Sequence, residues 1–228
     1  MKLCIPITAS SNAEARKKIQ QGLALAPILE LRIDGIPHPD LKGFLSRRKG
    51  EILVTNRMRE EGGRFSGSER ERVDLLKKAV ALGCNYVDLE LRTSRELRSQ
   101  LKNEIAAHKG RTRLILSYHN LTKTPGIQGL RKKLEEGQKA GADIVKIVPL
   151  ARGMEDNLKV LSLIPMARKQ GMVIIAFCMG ALGKISRVMA PLLGSYLTYV
   201  SLSKGQESAP GQLTVGEMKR ITQILKAS

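Results

Sequence analysis

The feature that most constrains the fold is an alternation of short apolar segments with longer amphipathic ones along the whole chain. Eight segments have the composition of β-strands, namely residues 3–8, 28–34, 51–57, 86–92, 113–120, 144–150, 173–179 and 196–203. Eight strand and helix alternations in about 250 residues are typical of a parallel (β/α)8 barrel, the TIM barrel. We therefore predict an α/β barrel that forms a single domain over residues 1–228. A doubly wound open sheet is the alternative, although neither GxGxxG nor GxxxxGKS/T follows the first strand.

The segments between the strands carry helix signals. Residues 68–83 show them best, because Ser68 stands at an N-cap position, Glu71 follows three residues later, and Gly83 ends the apolar periodicity. The other predicted helices are residues 13–25, 94–108, 130–140, 156–170, 185–193 and 215–225.

Composition excludes several classes of protein. With 42% hydrophobic and 26% charged residues, the chain can bury a large core, so disordered and fibrous classes do not fit. The longest strongly apolar stretch without charge, residues 173–183, is shorter than the roughly 18 residues of a membrane-spanning helix. We expect a cytoplasmic protein with no membrane partner. Cys4, Cys84 and Cys178 lack CxxC spacing, and we expect them to be reduced and buried.

The net charge of +18 raises the alternative of a basic nucleic-acid-binding protein. The distribution of the charge argues against it, since the basic clusters are spread over helix-like segments at residues 17–18, 47–49, 77–78, 131–133 and 168–169. Four Tyr, three Phe and no Trp also leave little material for stacking bases. We predict solvated helix faces and no nucleic-acid partner.

Charged side chains occupy one face of several predicted strands. In residues 28–34 and 86–92 they alternate with Leu, Ile and Val. Because helices cover the outside of a barrel, the charged face should point inward. The residues predicted to meet at the carboxyl-terminal end of the barrel are Glu30, Arg32, Arg57, Glu90, Arg92, His119 and Lys146. For Asp88, Glu90 and Arg92, ion pairs that only stabilise the barrel are an open alternative.

Lys146 is the most informative single residue, because it lies within the apolar segment DIVKIVP. Burial and neighbouring positive charges would disfavour the ammonium form and leave an amine able to attack a carbonyl carbon. The alternative is a lysine on an edge strand that reaches solvent.

His119 is the one histidine on an inward strand face, whereas His38 and His108 are expected to face solvent. A general acid/base role and a structural role both remain open for His119. No His, Cys and carboxylate cluster has metal-ligand spacing, so we predict chemistry without a metal.

Turn-rich segments follow the third, seventh and eighth strands, at residues 59–67, 178–187 and 203–214. Loops at this end of barrel strands commonly cover substrates, and a flexible connection is the alternative. Arg187, near a predicted helix start, is well placed to bind an anion.

Seven short motifs at strand ends resemble those of the type I 3-dehydroquinate dehydratases. They are ELR at 30–32, TNRxxxEGG at 55–63, DLEL at 88–91, SYHN at 117–120, ADIVKI at 142–147, MGxLGxxSR at 179–187 and SAPGQ at 208–212. The resemblance implies a (β/α)8 barrel, usually a homodimer, that converts 3-dehydroquinate to 3-dehydroshikimate in the shikimate pathway of aromatic amino-acid biosynthesis. It also implies a lysine imine and no cofactor or metal.

The resemblance assigns roles to matching positions. It implies that Lys146 forms a Schiff base with the C3 ketone, that His119 is the general base and acid, and that Glu61 orients His119 and favours its charged form. The implied substrate-binding residues are Arg187 for the carboxylate, Met179 for packing, and Glu30, Arg32, Arg57, Ser208 and Gln212 for the hydroxyls and carboxylate. The family's aromatic residue after Thr55 is Asn56 here, a difference expected to affect packing only.

A second enzyme interpretation keeps the barrel and the imine lysine but makes the reaction a retro-aldol cleavage, as in class I aldolases. Dehydration would create a conjugated enone carboxylate, whereas cleavage would release two smaller carbonyl compounds.

Overall fold

The central element of the structure, a computed structural model, is a curled and entirely parallel β-sheet. The structure describes residues 1–46 and 50–226. The strands are β1 (Leu3–Thr8), β2 (Ile28–Arg32), β3 (Glu51–Thr55), β4 (Tyr86–Glu90), β5 (Arg113–Asn120), β6 (Ile144–Pro149), β7 (Ile174–Ala176), β8 (Thr198–Ser201) and β9 (Leu213–Thr214). Their order in the sheet is β7-β6-β5-β4-β3-β2-β1-β8-β9.

Strand order distinguishes the two predicted architectures. Strands consecutive in the chain are neighbours in the sheet, and β1 pairs with β8 through Cys4 and Tyr199. A doubly wound sheet would reverse its order at a switch point, so that alternative is wrong. The two ends of the curled sheet approach each other where the Tyr196 amide donates to the Ile174 carbonyl at 2.8 Å. The predicted (β/α)8 barrel fold is confirmed.

Helices connect the strands and cover their outer face. They are α1 (Asn12–Leu23), α2 (Leu41–Leu45), α3 (Glu69–Ala81), α4 (Arg95–Ala107), α5 (Ile127–Lys139), α6 (Glu155–Leu161), α7 (Leu163–Lys169), α8 (Lys184–Leu193) and α9 (Val215–Lys226). The capping box before α3 is confirmed, because the Ser68 hydroxyl accepts from the Glu71 amide and the Glu71 carboxylate accepts from the Ser68 amide.

The structure differs from the prediction in two connecting segments. Residues 156–170 form two helices rather than one, because Pro165 has no amide hydrogen to donate to the Leu161 carbonyl and the helix is interrupted at Ser162. The short helix α2 was not predicted. Its N-terminus is capped by the Asp40 carboxylate, which accepts from the Gly43 amide at 2.9 Å.

Strand alternation divides the side chains between the barrel interior and the helical layer. The lower layer of the interior is apolar and consists of Cys4, Ile28, Leu53, Ile115 and Ile144. Two residues further along the strands the same face is polar, with Glu30, Thr55, Ser117 and Lys146, all buried. The predicted inward direction of the charged faces is therefore confirmed for these strands, and polar groups accumulate at the carboxyl-terminal end of the barrel.

The surface agrees with several expectations from composition. The basic clusters at 17–18, 77–78, 131–133 and 168–169 lie exposed or half-buried on helices, and the cluster at 47–49 lies outside the described residues. The three cysteines are buried. Across residues 1–46 and 50–226, no helix is both long enough and apolar enough to cross a membrane.

Candidate active site

A cavity of about 180 Å³ lies at the carboxyl-terminal end of the barrel. It is lined by every residue to which the family resemblance gives a role, namely Glu30, Arg32, Arg57, Glu61, His119, Lys146, Met179, Arg187, Ser208 and Gln212. These residues come from six strand ends and the segments that follow them. Glu90 and Arg92, which were also predicted at this end of the barrel, do not line it. Active sites of parallel barrels lie at this end, because the loops after the strands converge there.

Lys146 lies on β6 between β5 and β7, and only 4% of the residue is exposed. Its Nζ donates to Asp88 Oδ2 at 2.9 Å and to Tyr199 Oη at 3.0 Å, and it lies 3.6 Å from Glu30 Oε1. The edge-strand alternative is wrong. The predicted surroundings are also corrected, because the charged groups nearest the amine are carboxylates rather than cations. The sequence could not show this, since these carboxylates belong to other strands.

His119 extends from β5 into the cavity with its side chain 10% exposed, whereas His38 and His108 are exposed as predicted. Glu61 Oε2 lies 2.9 Å from both the backbone nitrogen and Nδ1 of His119. Glu61 is presented by a 3-10 turn at Arg59–Glu61 that ends at Gly62, whose φ of 85° suits glycine. Because Nδ1 is held by the carboxylate, Nε2 is the nitrogen left to face the cavity.

Burial controls the protonation of this pair. Desolvation, followed by the positive charges of Arg57 and Lys146, lowers the pKa of His119 well below 6.5. Desolvation also raises the pKa of Glu61 to about 7. The Glu61 contact therefore does not outweigh burial, and the pKa of His119 is lowered rather than raised. A neutral His119 can accept a proton, as a general base must.

A buried ion-pair network supports the cavity from below. Arg57 lies 2.8 Å from Asp88 through Nη2 and 2.9 Å from Glu90 through Nη1, and Arg72 also contacts Glu90. Asp88 and Glu90 therefore form buried ion pairs with Arg57, as that alternative predicted, and Asp88 also contacts Lys146. The ion-pair prediction is wrong for Arg92, which is exposed. Strand β4 ends at Glu90, so the alternation of side-chain directions does not continue to Arg92.

Asn56, the residue that departs from the family pattern, belongs to the same layer. It is fully buried, and its side-chain amide donates to the Arg72 carbonyl at 3.2 Å. The Arg72 guanidinium in turn donates to the Asn56 carbonyl at 3.0 Å. Asn56 therefore packs beside the ion-pair network and does not line the cavity.

Arg187 is buried with 1% of its surface exposed, in the first turn of α8. Within the described residues, no carboxylate forms an ion pair with its guanidinium and Nε has no hydrogen-bond partner. Nη2 donates to the Pro210 carbonyl at 3.4 Å, and the Phe177 ring centroid lies 4.6 Å from Cζ. Desolvation lowers the pKa of Arg187 to about 10, so it remains a cation at neutral pH. A buried cation in this state is suited to an incoming anion.

The segment at residues 203–212 covers one side of the cavity. The Gln212 side chain donates to Ser208 Oγ and accepts from the Ser208 amide, each at 2.9 Å. Gly211, at φ 82°, approaches so closely that a Cβ there would lie 2.1 Å from the Gly180 carbonyl oxygen. Glycine at this position therefore allows the eighth-strand loop to pack on the seventh-strand loop, beside Arg187.

Arg32, the remaining nominated cation, is half-buried and already paired. Its Nε and Nη2 donate to Asp34 at 2.8 and 2.9 Å. A bidentate pair of this kind fixes the orientation of the guanidinium at the cavity wall.

Asp88, Phe177 and Tyr199 are among the contributors to the cavity region that were missed as site residues. Asp88 was noticed only as an ion-pair candidate, although it shares a strand face with Glu90. Phe177 and Tyr199 lie on predicted strands, and their inward direction could have been read from strand alternation. Nothing in the sequence indicates that Tyr199 contacts Lys146.

A buried amine and a carboxylate-supported imidazole that share a small cavity define a barrel enzyme that acts on a small molecule. Comparisons with known proteins identify the family. The family model described as Type I 3-dehydroquinase matches residues 3–228. The chain belongs to the type I 3-dehydroquinase family, and it is a dehydratase, a hydro-lyase of the shikimate pathway.

Individual relatives agree with this assignment. The 3-dehydroquinate dehydratase of Desulfotalea psychrophila is 36% identical over 222 residues and covers 96% of each chain. That of Methanosarcina acetivorans is 40% identical over 221 residues, which are 93% of this chain and 89% of the relative. The crystal structure of the Geobacillus kaustophilus enzyme has a TM-score of 0.90 at 26% identity and covers 99% of this chain and 91% of that one. The family resemblance is confirmed, and the aldolase interpretation is set aside.

Proposed function

We propose that this dehydratase converts 3-dehydroquinate to 3-dehydroshikimate through a Schiff base on Lys146, with His119 as general base and acid and without a metal or cofactor. The observation that carries the proposal is the convergence of Lys146, His119 and Arg187 on one cavity of about 180 Å³. The three groups supply a nucleophilic amine, a proton acceptor and a buried cation for an anionic substrate.

The proposed reaction begins when Lys146 Nζ attacks the C3 carbonyl carbon, and loss of water gives a protonated imine. His119 then removes a proton from C2, and the electrons of the C–H bond move toward the imine nitrogen to form an enamine. The electrons return as the C1–O bond breaks, and the hydroxyl leaves as water with a proton from His119. Hydrolysis of the imine releases the product and restores the lysine. The cationic imine lowers the barrier because it stabilises the carbanion that forms at C2.

The proposed substrate contacts follow from the cavity lining. Arg187 would bind the carboxylate, whose charge compensates the buried guanidinium. Glu30, Arg32, Arg57, Ser208 and Gln212 would hold the hydroxyls and the carboxylate, and Met179 would pack against the ring. The role proposed for Glu61 is to orient His119, supported by the 2.9 Å contact with Nδ1.

An exposed apolar patch supports the proposed homodimer. Met154, at the N-cap of α6, and Leu158 on α6 lie four residues apart. Leu182, in the turn before α8, and Ile185 on α8 lie three residues apart, and all four side chains are exposed. The Asn157 side chain donates to the Leu182 carbonyl at 2.9 Å, which holds the two pairs side by side. Leu158→Glu should convert a dimer to a monomer in light scattering. A cytoplasmic location and the lack of nucleic-acid or membrane partners stay predictions.

The test is a direct assay with 3-dehydroquinate in the presence of a chelator, followed by borohydride trapping. Turnover should produce a conjugated enone with strong ultraviolet absorbance, and borohydride should fix the substrate to Lys146. Lys146→Ala should abolish both, whereas Lys133→Ala, which removes an amine that pairs with Glu136 on the surface, should change neither. A label on another lysine, or full activity of Lys146→Ala, would disprove the imine assignment. Inhibition by the chelator would disprove the metal-free mechanism.

A further inference from the structure

Tyr199 is the one aromatic residue whose polar atom reaches the lysine amine among the described residues. It lies on β8 with its side chain inside the barrel and only 4% of the residue exposed. Its ring packs at a tilt against Phe177, with centroids 5.9 Å apart. Lys146 Nζ lies 3.0 Å from Tyr199 Oη and 4.5 Å from the ring centroid. The ring is therefore fixed by packing, and the hydroxyl is held against the nitrogen.

The same hydroxyl has a second partner. Tyr199 Oη donates to Glu30 Oε1 at 3.4 Å, so it bridges the amine and a carboxylate that lines the cavity. Burial, followed by the negative charge of Glu30, raises the pKa of Tyr199 well above its usual range. The phenol therefore keeps its proton and can accept one hydrogen bond while it donates another.

Asp88 is nearer to the amine than Glu30 but is a poor proton acceptor. Although burial raises its pKa, the charges of Arg57 and Lys146 outweigh burial and hold the pKa of Asp88 well below its usual range. Ser117 also donates to Asp88 Oδ1 at 2.6 Å, which further satisfies the ionised form. Asp88 is suited to anchoring the ammonium, whereas the contacts through Tyr199 offer the protons of the ammonium a route to Glu30.

Imine formation requires two proton transfers away from the lysine nitrogen. An ammonium and a ketone become a protonated imine and water, so two protons must move from the lysine nitrogen to the departing oxygen. We infer that the Tyr199 hydroxyl is a catalytic proton relay that carries these protons from Lys146 Nζ to Glu30. This inference rests on the proposed Schiff base and adds a residue to it.

The relay works in two passes. In the first pass, Tyr199 Oη accepts a proton from Lys146 Nζ while the proton of the phenol passes to Glu30. The lone pair now free on Nζ attacks C3, and the C3 carbonyl oxygen takes the proton from Glu30. In the second pass, the lysine nitrogen, now bonded to C3, gives up one of its two protons, which follows the same route to the C3 hydroxyl. The C–O bond then breaks, water leaves, and the nitrogen lone pair forms the C=N bond. Hydrolysis runs through the same steps in reverse, so the relay is unchanged at the end of a cycle.

The test compares Tyr199→Phe with a matched control. Phenylalanine keeps the ring that packs on Phe177 and removes only the hydroxyl. Tyr118→Phe removes a hydroxyl that accepts from Asn120 at 3.1 Å outside the cavity. Each protein is mixed with 3-dehydroquinate and quenched with borohydride, and mass spectrometry follows the fraction of reduced chains over time. Tyr199→Phe should form the imine at least about ten-fold more slowly than the wild type. This loss is smaller than the roughly 10²–10⁴-fold loss usual for removing a general acid or base, because Glu30 remains nearby. Tyr118→Phe should match the wild type.

Two further measurements isolate the step. With substrate deuterated at C2, the isotope effect on kcat should be smaller in Tyr199→Phe than in the wild type, because a slower imine step masks the effect of proton abstraction. In wild-type enzyme, imine formation should be slower in heavy water, because the relayed protons exchange with solvent and move during this step. This measurement does not depend on whether the variant folds. An absent solvent effect, or equal imine formation in Tyr199→Phe, would overturn the relay alone. Failure of wild-type enzyme to label Lys146 would instead overturn the proposed Schiff base.

Discussion

Replacing Arg187 with methionine should stabilise the empty enzyme and weaken substrate binding at the same time. Burial lowers the pKa of this guanidinium from its ordinary value to about 10. At about 1.36 kcal/mol for each pKa unit, keeping the charged form buried costs roughly 3 kcal/mol in the folded state. Methionine has a similar length and needs no polar partner. The free energy of unfolding without ligand should therefore rise, by up to about 3 kcal/mol.

Substrate binding should change in the opposite direction. A desolvated pairing between the guanidinium and a carboxylate is worth about 2–5 kcal/mol when one partner is removed. At 1.4 kcal/mol per factor of ten, this corresponds to a roughly 30-fold to 4,000-fold loss in kcat/KM. Arg187→Lys should recover only part of the loss, because an ammonium cannot bind both oxygens through a planar fork.

The assay combines saturation kinetics with denaturant unfolding of the ligand-free enzyme. Arg168→Met is a suitable control, because Arg168 is exposed on α7 and donates only a 3.4 Å bond to the Leu193 carbonyl. The control should leave kinetics and stability nearly unchanged. An unchanged KM and kcat/KM in Arg187→Met would remove Arg187 from the substrate site. A loss of stability would show instead that the guanidinium holds the fold together.

His119→Ala should reduce the rate by about 10²–10⁴-fold yet still allow borohydride trapping at the lysine, and wild-type turnover by this variant would assign proton transfer to another group. Because burial lowers the pKa of His119, the base stays unprotonated, and His119 itself should not limit the rate until the pH falls well below 6.5. Glu61 has its pKa raised to about 7 by burial, so its contribution to stability is full below about pH 4.5 and is lost as the pH rises through 7. The unfolding free energies of wild type and Glu61→Gln should therefore diverge by up to about 3 kcal/mol between pH 4.5 and 8, and parallel curves would contradict the raised pKa. Arg57→Met should destabilise the enzyme by about 3–5 kcal/mol in urea unfolding, because Asp88 and Glu90 would lose a buried partner, and a neutral result would show that the network is dispensable.

The eight barrel strands were predictable because their signal is local. Alternation of polar and apolar residues within five to eight positions depends only on neighbours in the chain, and β1 and β5 have the predicted bounds. The same alternation predicted that Glu30 and Lys146 face the interior. The carboxyl-terminal ends of the strands were predicted less accurately, because β2 ends at Arg32 and β4 at Glu90, where turns begin. For that reason the prediction that Arg92 points inward was wrong.

Local patterns in the sequence predicted the barrel and the inward charged faces, and the family motifs predicted ten of the residues that line the cavity. Tertiary structure alone decided which of them are paired. Lys146 and Asp88 lie 58 positions apart, and Lys146 and Tyr199 lie 53 apart, so only the curl of the sheet brings them within hydrogen-bond distance. The charge state of His119 and the isolation of Arg187 depend on the same packing, because desolvation is a property of everything that surrounds a group in space. Local periodicity sets the direction of a side chain, but only the closed fold determines what it meets.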